Sequence, residues 1–594
     1  MKIKYYILFG VCTFSWLILS GCAGGSAFIE QGEVNADNAT VIDVIDNSQT
    51  LDLDNTATVV IRADMTDSAS INAPLHNMWQ TANRIAPKPG VSTLPGMRMN
   101  TIRMIGGINK RVDGKKVPDL DYDTAIYNEA TKQYEYNFAP LIGRIDSIVK
   151  RGYKLYQIVV DQPPWAFQRG HSFIPDSQPF DGVSFKEKQR VSHYGNSLPP
   201  KDKVAYNHFL QAMMKHLIQE YGRETVAKWR FRIGTEIETP EHWFGTEQDF
   251  IEHFANSARA IRTVLPEAIV GVHTRGPNFV YKNGTVTNYK GEKIKAFANG
   301  IIEYSYDNNI KIDFWGVSDY PFINLERTRD PKTKFEQFFK PMVQHPKWQT
   351  NTILDIEEYS VITRMGRVPG TNVAFIRSHS PQADTFSLAL TDEFYQHGIT
   401  EIFLWGHRAG SKREQYMTIF ESMFGLPRIS SQIKTDKGEI AENIGAIVVE
   451  NKVNNSIQAV AYHYEPSDLE ADNEQSIQLE FVTQIPVGST FLYRRKLVAP
   501  EHHAFYRFMQ HPSAPNWLRT DQTYFSKYGS PSVDLNDEGK AQWSIYEHNN
   551  HSVWTQWYKG ETVIRDDGRS GSIIKVSSTL PPFSYEKTEI KWVN

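Results

Sequence analysis

The hydrophobic positions of this chain fall into three regimes. Between about 97 and 425, short apolar runs alternate with longer segments whose apolar residues recur at helical spacing. That alternation predicts an α/β fold with a parallel sheet, because each parallel strand pair needs a crossover to return the chain. Eight strands are expected in order: Thr101–Ile105, Tyr134–Phe138, Lys154–Val160, Trp229–Glu236, Ala268–His273, Ile312–Val317, Thr352–Glu358 and Glu401–Trp405. Amphipathic helices fit between several of them. Phe138 to Lys150 carries Leu141, Ile145, Ile148 and Val149 on one face, and Asp249 to Val264 carries Phe250, Phe254, Ala258, Ile261 and Val264. Eight such units over roughly 330 residues predict a (β/α)8 TIM barrel with insertions.

Beyond about 430 the period shortens to two. Runs such as AIVVE, SIQAVAYHY, QSIQLEFV, STFLYRRKL and SIIKVSS are separated by turn signals such as Asn454-Asn455 and Asp566-Asp567-Gly568. They predict one C-terminal β-sandwich, or two small ones, and the early strand Thr58–Arg62 is placed to complete it. The third regime is the N-terminus. Lys2 and Lys4 precede an apolar run from Tyr5 to Leu19 that ends in Leu19-Ser20-Gly21-Cys22. This layout is an export signal rather than a membrane span. Its last four residues resemble the bacterial lipobox, in which the cysteine becomes the lipidated first residue; Ala23, rather than Asp, then implies an outer-membrane or cell-surface destination. An ordinary signal peptide with a chance cysteine is the alternative. The expected division is a lipoprotein signal over 1–21, a flexible tether over 22–57, a lead-in over 58–96, a catalytic barrel over 97–428 and sandwich over 429–594.

Composition removes several function classes. Lys+Arg 64 against Asp+Glu 68 leaves a formal net charge of −4, too little positive field for general nucleic-acid binding. Two cysteines support neither a disulfide framework nor a cysteine-based zinc site. There is no P-loop, HExxH or GxSxG. His548 and His551, and the pair His502-His503, have no further ligand at a recognisable spacing and read as loop histidines. No metal is expected in the chemistry, although a structural Ca²⁺ in the sandwich stays open.

The strand ends hold the candidate chemistry, since barrel enzymes assemble their sites there. Strand four runs into Thr235-Glu236-Ile237-Glu238 and then Trp243, strand six into Tyr320, strand seven into Glu357-Glu358, and strand eight into Trp405, His407 and Arg408. Carboxyls on strands four and seven face each other across a barrel mouth. One protonated carboxyl and one ionised carboxylate are what glycoside hydrolysis with retention requires. Glu236 is preferred as acid/base over Glu238, which lies past the expected strand end, and Glu358 as nucleophile over Glu357. The loop Asp161 to His171 offers Trp165 and Phe167 for stacking on a sugar. Arg169, His171, Arg190 and Arg408 are either partners for sulfate groups or solvated loop charges. Trp243 is either a subsite wall or buried scaffolding.

The layout resembles the retaining clan A glycoside hydrolases, whose acid/base follows strand four and whose nucleophile follows strand seven. The resemblance implies that Tyr320 orients the nucleophile and that Trp405 floors a subsite. Thr235 stands where that clan has an asparagine. More narrowly, RMIGGIN, DQPPWAFQRG, YGNSLPP, WRFRIGTEIETPEHWFGT and FLWGHR are similar to glycoside hydrolase family 86, the β-agarases and β-porphyranases. That similarity implies an endo-acting β-1,4-galactan hydrolase working on agarose or porphyran, with a β-carrageenan-type galactan next. A surface lipoprotein that binds glycan without cleaving it is the rival. Substrate and membrane, through Cys22, are the expected partners. The sequence leaves the oligomeric state open.

Overall fold

In the computed structural model the barrel is built from eight strands, numbered here in chain order: β1 (Trp79–Thr81), β2 (Met99–Ile102), β3 (Leu155–Val160), β4 (Arg230–Ile233), β5 (Ile269–Thr274), β6 (Phe314–Asp319), β7 (Ile353–Tyr359) and β8 (Ile402–Leu404). They close into a barrel in that cyclic order, all pairs parallel, with β8 pairing back onto β1 through Ile402 opposite Trp79. The structure describes residues 57–592 apart from 82–98, 103–104, 151–154, 170–172, 175–188, 191–194, 240–241, 276–284, 288–292, 296, 320–321, 324–330, 360–361, 364–380, 405–417, 442, 466–473, 503–507, 509–510, 518–534 and 550–551. The expected signal peptide, the tether and Cys22 lie outside the described residues. No described helix is long and apolar enough to cross a membrane.

Six of the expected strands appear as β3 to β8, and the expected first strand is β2. The expected second strand is a correction. Gln133–Tyr136 pairs antiparallel with Ala125–Asn128 in a hairpin outside the barrel. Its alternation explains this: Tyr134 and Tyr136 are half-buried and Glu135 is exposed, whereas a barrel strand is covered on both faces. The missing strand is β1, which the expected division had left in the lead-in before 97. The helices come where the spacing placed them, at Ala139–Val149 and Glu247–Val264. The second begins with a reciprocal cap, in which the Thr246 hydroxyl accepts from the Asp249 amide and Asp249 accepts from the Thr246 amide. Together these elements make a TIM-barrel-like α/β fold.

The C-terminal part is one sandwich of two sheets, five-stranded and seven-stranded. The early strand completes it as expected: Val59–Asp64 lies between Ser431–Thr435, antiparallel, and Gln475–Thr483, parallel. A helix over Asp537–Asn549, not foreseen from the sequence, lies between strands Thr490–Val498 and Tyr558–Glu561 in chain order. Barrel and sandwich share a hydrophobic core. Helix Pro381–His397 packs on strands Ile444–Asn451, Ser456–His463 and Ser584–Trp592 of the seven-stranded sheet. Across that junction the Phe386 and Tyr464 rings meet edge to face at 5.5 Å, and the Tyr462 hydroxyl donates to Asp392 Oδ2 at 2.9 Å.

Candidate active site

The barrel lumen is charged rather than oily. Strand β4 reads Arg230-Phe231-Arg232-Ile233, so period two sends both guanidiniums to one face while Phe231 and Ile233 pack outward. All four residues are buried. Two carboxylates from β7 meet those cations. Arg230 Nη2 donates to Asp355 Oδ2 at 2.6 Å, and Arg232 Nη1 donates to Glu357 Oε2 at 2.8 Å. Gln157 of β3 adds a bond to the same Glu357 oxygen at 2.8 Å. Buried charges need this pairing, because an unpaired ion in a dry interior is costly. Gly316 of β6 makes the room: a Cβ there would sit 2.1 Å from Glu357 Cγ.

At the end of β4 the chain turns sharply. Gly234 has φ +77, and a Cβ on it would meet Ile237 Cγ2 at 2.5 Å, so glycine is required. Glu236 has φ +40, in the left-handed region that a glutamate adopts only at a cost of about 1–3 kcal/mol. The strained turn leaves Glu236 half-buried at the barrel mouth while Thr235 points down and is fully buried. The Thr235 hydroxyl accepts from Arg232 Nη2 at 2.9 Å and donates to Asp161 Oδ2 at 3.0 Å. Its single proton is therefore spent inside the protein. Glu238 is buried, and its Oε2 accepts from the Arg275 amide just past β5 at 2.9 Å. Its Oε1 has no hydrogen-bond partner among the described residues. Burial pushes its carboxyl up to about 7, and the neighbouring charge of Glu236 adds to the shift.

Strand β7 carries a bulge at the decisive position. Ile356 pairs with Val317, but Glu358, not Glu357, pairs with Ser318. One extra residue on β7 thus lets two successive acids share the lumen face. Glu357 lies lower, engaged by Arg232 and Gln157. Glu358 lies one step nearer the mouth, beside Ser318, whose Oγ is 3.0 Å from His273 Nε2 of β5. Tyr359 then faces outward, its ring 5.6 Å from Trp79 and its hydroxyl 3.0 Å from Ser387. Arg232 consequently links the two sides of the barrel: one nitrogen holds the residue before Glu358, another the residue before Glu236.

The expected aromatic walls go elsewhere. Phe167 is fully buried, stacked on Tyr134 at 5.0 Å and edge-on to Tyr206 and Phe209, so it is core and not a sugar platform. Trp165 is 4% exposed, and its indole N–H donates to the Ile108 carbonyl at 2.6 Å. Its amide donates to Asp123, a buried carboxylate that also accepts from the Gly107 and Thr124 amides and so ties down the loop after β3. Trp243 is scaffolding, buried against Phe250 and His253. Arg169 is exposed, paired with Glu129 at 2.8 Å and lying 3.7 Å from the centre of the Tyr127 ring. Arg190 sits in a two-residue strand beside Phe173–Ile174. His171, Tyr320, Trp405, His407 and Arg408 fall outside the described residues. The lumen residues Arg230, Arg232, Gln157 and His273 were missed, and Asp161 was read only as the start of the loop after β3. Their signal was available in the alternating arginines of an otherwise apolar strand. Among the described residues no group of three or more His, Cys, Asp or Glu is placed to hold a metal ion.

Comparison with known proteins bears on this geometry. The family model described as Glycosyl hydrolases family 39 matches residues 178–338, from the insertion before β4 to the segment after β6. An alpha-1,4-L-rhamnosidase of Formosa agariphila is 28% identical over 542 residues, covering 90% of this chain and 94% of its own. A beta-xylosidase of Caldicellulosiruptor saccharolyticus is 27% identical over 152 residues, 24% of this chain and 28% of its own. Two solved structures share the fold. A family 39 enzyme from Xanthomonas axonopodis pv. citri superposes with TM-score 0.54 at 13% identity, over 91% of this chain and 98% of that one. A monomeric beta-xylosidase from Caulobacter crescentus CB15 gives 0.52 at 12%, over 90% and 100%. The narrower resemblance to family 86 is not supported, because the matching model and relatives point to family 39 with rhamnosidase and xylosidase relatives instead. Together the comparisons identify a glycoside hydrolase, with its family 39 match over residues 178–338.

Proposed function

We propose that the protein is a retaining glycosidase acting on α-1,4-linked L-rhamnosyl residues, with Glu358 as nucleophile and Glu236 as acid/base. The observation that carries the chemistry is the placement of these two acids at the ends of β7 and β4, tied through Arg232. In the first step a Glu358 oxygen attacks the anomeric carbon as the glycosidic bond breaks. Glu236 gives its proton to the departing oxygen, leaving a covalent glycosyl-enzyme. In the second step Glu236 takes a proton from water, the water oxygen bonds to the anomeric carbon, and Glu358 is released. Two inversions restore the starting configuration. Glu358 is preferred over Glu357 because Glu357 is already engaged by Arg232 and Gln157, so an attack from it would abandon a buried cation. Glu236 is preferred over Glu238 because it is half-buried at the mouth, whereas Glu238 is buried and bonded to the Arg275 amide. Tyr320, Trp405, His407 and Arg408 remain part of the proposal as orienting and subsite residues.

The substrate assignment rests on the rhamnosidase relative, which covers nearly the whole of both chains. The test is a panel of aryl α-L-rhamnoside, aryl β-xyloside, agarose, porphyran and carrageenan, with product configuration read by NMR. Release from the rhamnoside with retained configuration is expected. Cleavage of agarose or porphyran alone would overturn the substrate and restore the galactan reading. The lipoprotein signal belongs to the same proposal, an exported enzyme anchored through Cys22. Cys22→Ala is expected to abolish incorporation of labelled palmitate and shift the protein from the membrane to the soluble fraction.

A further inference from the structure

Away from the barrel mouth, the outer face of the seven-stranded sheet carries two indoles on a basic surface. Strand Thr490–Val498 pairs with Ser584–Trp592 so that Leu492 lies opposite Lys591 and Arg494 opposite Glu589. It pairs on its other side with Tyr558–Glu561, setting Lys559 opposite Leu492. Period two therefore gathers Leu492, Arg494, Lys559, Glu561, Glu589 and Lys591 on one face, while Phe491 and Ile590 enter the sandwich core. Trp554 and Trp557 close over that face: the Arg494 guanidinium lies 4.4 Å from the Trp554 ring centre and 4.7 Å from that of Trp557. Lys591 Nζ is 5.3 Å from the Trp557 ring. Glu589 fixes the arginine with bonds of 2.7 Å to Nε and 2.6 Å to Nη2. Trp557 is 37% exposed, and Val553 beside it 64%.

We propose that this face is a second glycan-binding site, separate from the active site, for a polysaccharide chain carrying carboxylate or sulfate groups. An exposed indole presents a flat apolar surface to the C–H face of a sugar ring, and its ordering against Arg494 is already made before the ligand arrives. Three cations, Arg494, Lys559 and Lys591, against two carboxylates, Glu561 and Glu589, leave a local positive excess, in a protein whose net charge of −4 gives no general attraction to polyanions. The site would hold a polymer near the enzyme without taking part in bond cleavage, so the proposal does not depend on the identity of the catalytic acids.

The test is native gel electrophoresis of the full chain through gels containing polygalacturonate, carrageenan or neutral xylan. Retardation by at least one anionic polymer and not by xylan is expected, and the two anionic gels separate carboxylate from sulfate recognition. Trp557→Ala and Lys591→Gln should each weaken the binding about fivefold to tenfold, with hydrolysis of a small aryl glycoside and the melting temperature unchanged. Equal retardation by xylan would overturn the charge requirement. Retention of full binding in both variants would overturn the site, as would the absence of a shift in both anionic gels.

Discussion

Glu238 is the residue whose ionisation the fold disturbs most informatively. Its carboxyl is raised from an ordinary value of 4.5 to about 7 by burial, so folding opposes its charge. A carboxyl with a raised folded value is proton-bound in the native state at pH values where the unfolded chain has lost the proton. Its destabilising effect is absent below about 4.5, grows as pH rises, and is complete above about 7, reaching roughly 3 kcal/mol. Glu238→Gln should accordingly leave stability near pH 4 almost unchanged and raise it at pH 8, with denaturant midpoints at the two pH values as the measurement. Equal midpoint shifts at both would contradict a buried, proton-bearing carboxyl. At the same scale the sequence was a partial guide. It placed both acid pairs at the strand ends, but it sent Phe167 to the substrate and left Trp243 open between subsite wall and scaffolding, when both rings belong to the core. Aromatic character at a strand end says nothing of exposure; the neighbours that bury Phe167 come from Tyr134, Tyr206 and Phe209, far apart in the chain.

Strands β4 and β7 act as a pair through Arg232. Removing that guanidinium leaves Glu357 without its shortest cation contact and Thr235 without its donor. Arg232→Met is therefore expected to cost about 3–5 kcal/mol in chemical denaturation, the usual penalty for breaking a buried ion pair from one side. The double variant Arg232→Met with Glu357→Leu should regain part of that stability, since no orphaned charge remains, yet keep a low kcat because the link between the two sides is still missing. Recovery of both together would mean that Arg232 serves stability alone. The bulge at Glu357 marks the limit of pattern reading for this element. Alternation alone would put only one of Glu357 and Glu358 in the lumen, and no residue type announces the extra step. The same limit explains the first two strands. β1 is three residues, Trp79-Gln80-Thr81, too short to show a period, while the strongly alternating Gln133–Tyr136 is a half-buried hairpin.

Across the whole molecule, barrel and sandwich are joined by a buried polar and aromatic junction, and the chain visits the sandwich both before β1 and after β8. Asp392 shows how dry the junction is: burial raises its carboxyl to about 6, and the Tyr462 hydroxyl is its donor from the sandwich side. Tyr462→Phe should lower stability by about 1–3 kcal/mol by leaving that acceptor short of a partner. Calorimetry of the full chain is expected to show one cooperative transition for barrel and sandwich together rather than a separate peak for each. Two resolved peaks would contradict a shared core. This level was the most legible in the sequence, because long stretches of one period separate the β/α half from the β-rich half. The joining of Val59–Asp64 to the sandwich followed from its apolar run. The family 86 resemblance drawn from local motifs is the part that the comparisons do not support.

The most direct test of the central claim is to trap the intermediate. The 2-fluoro analogue of whichever aryl glycoside the enzyme turns over, with a good leaving group, should accumulate as a covalent glycosyl-enzyme, because fluorine slows both steps and the leaving group speeds the first. Peptide mass spectrometry is predicted to find the sugar on Glu358, with no label in Glu358→Gln and turnover of the parent substrate in that variant reduced roughly 10⁴-fold or more. A label on Glu357, or no label together with a product of inverted configuration, would contradict the account.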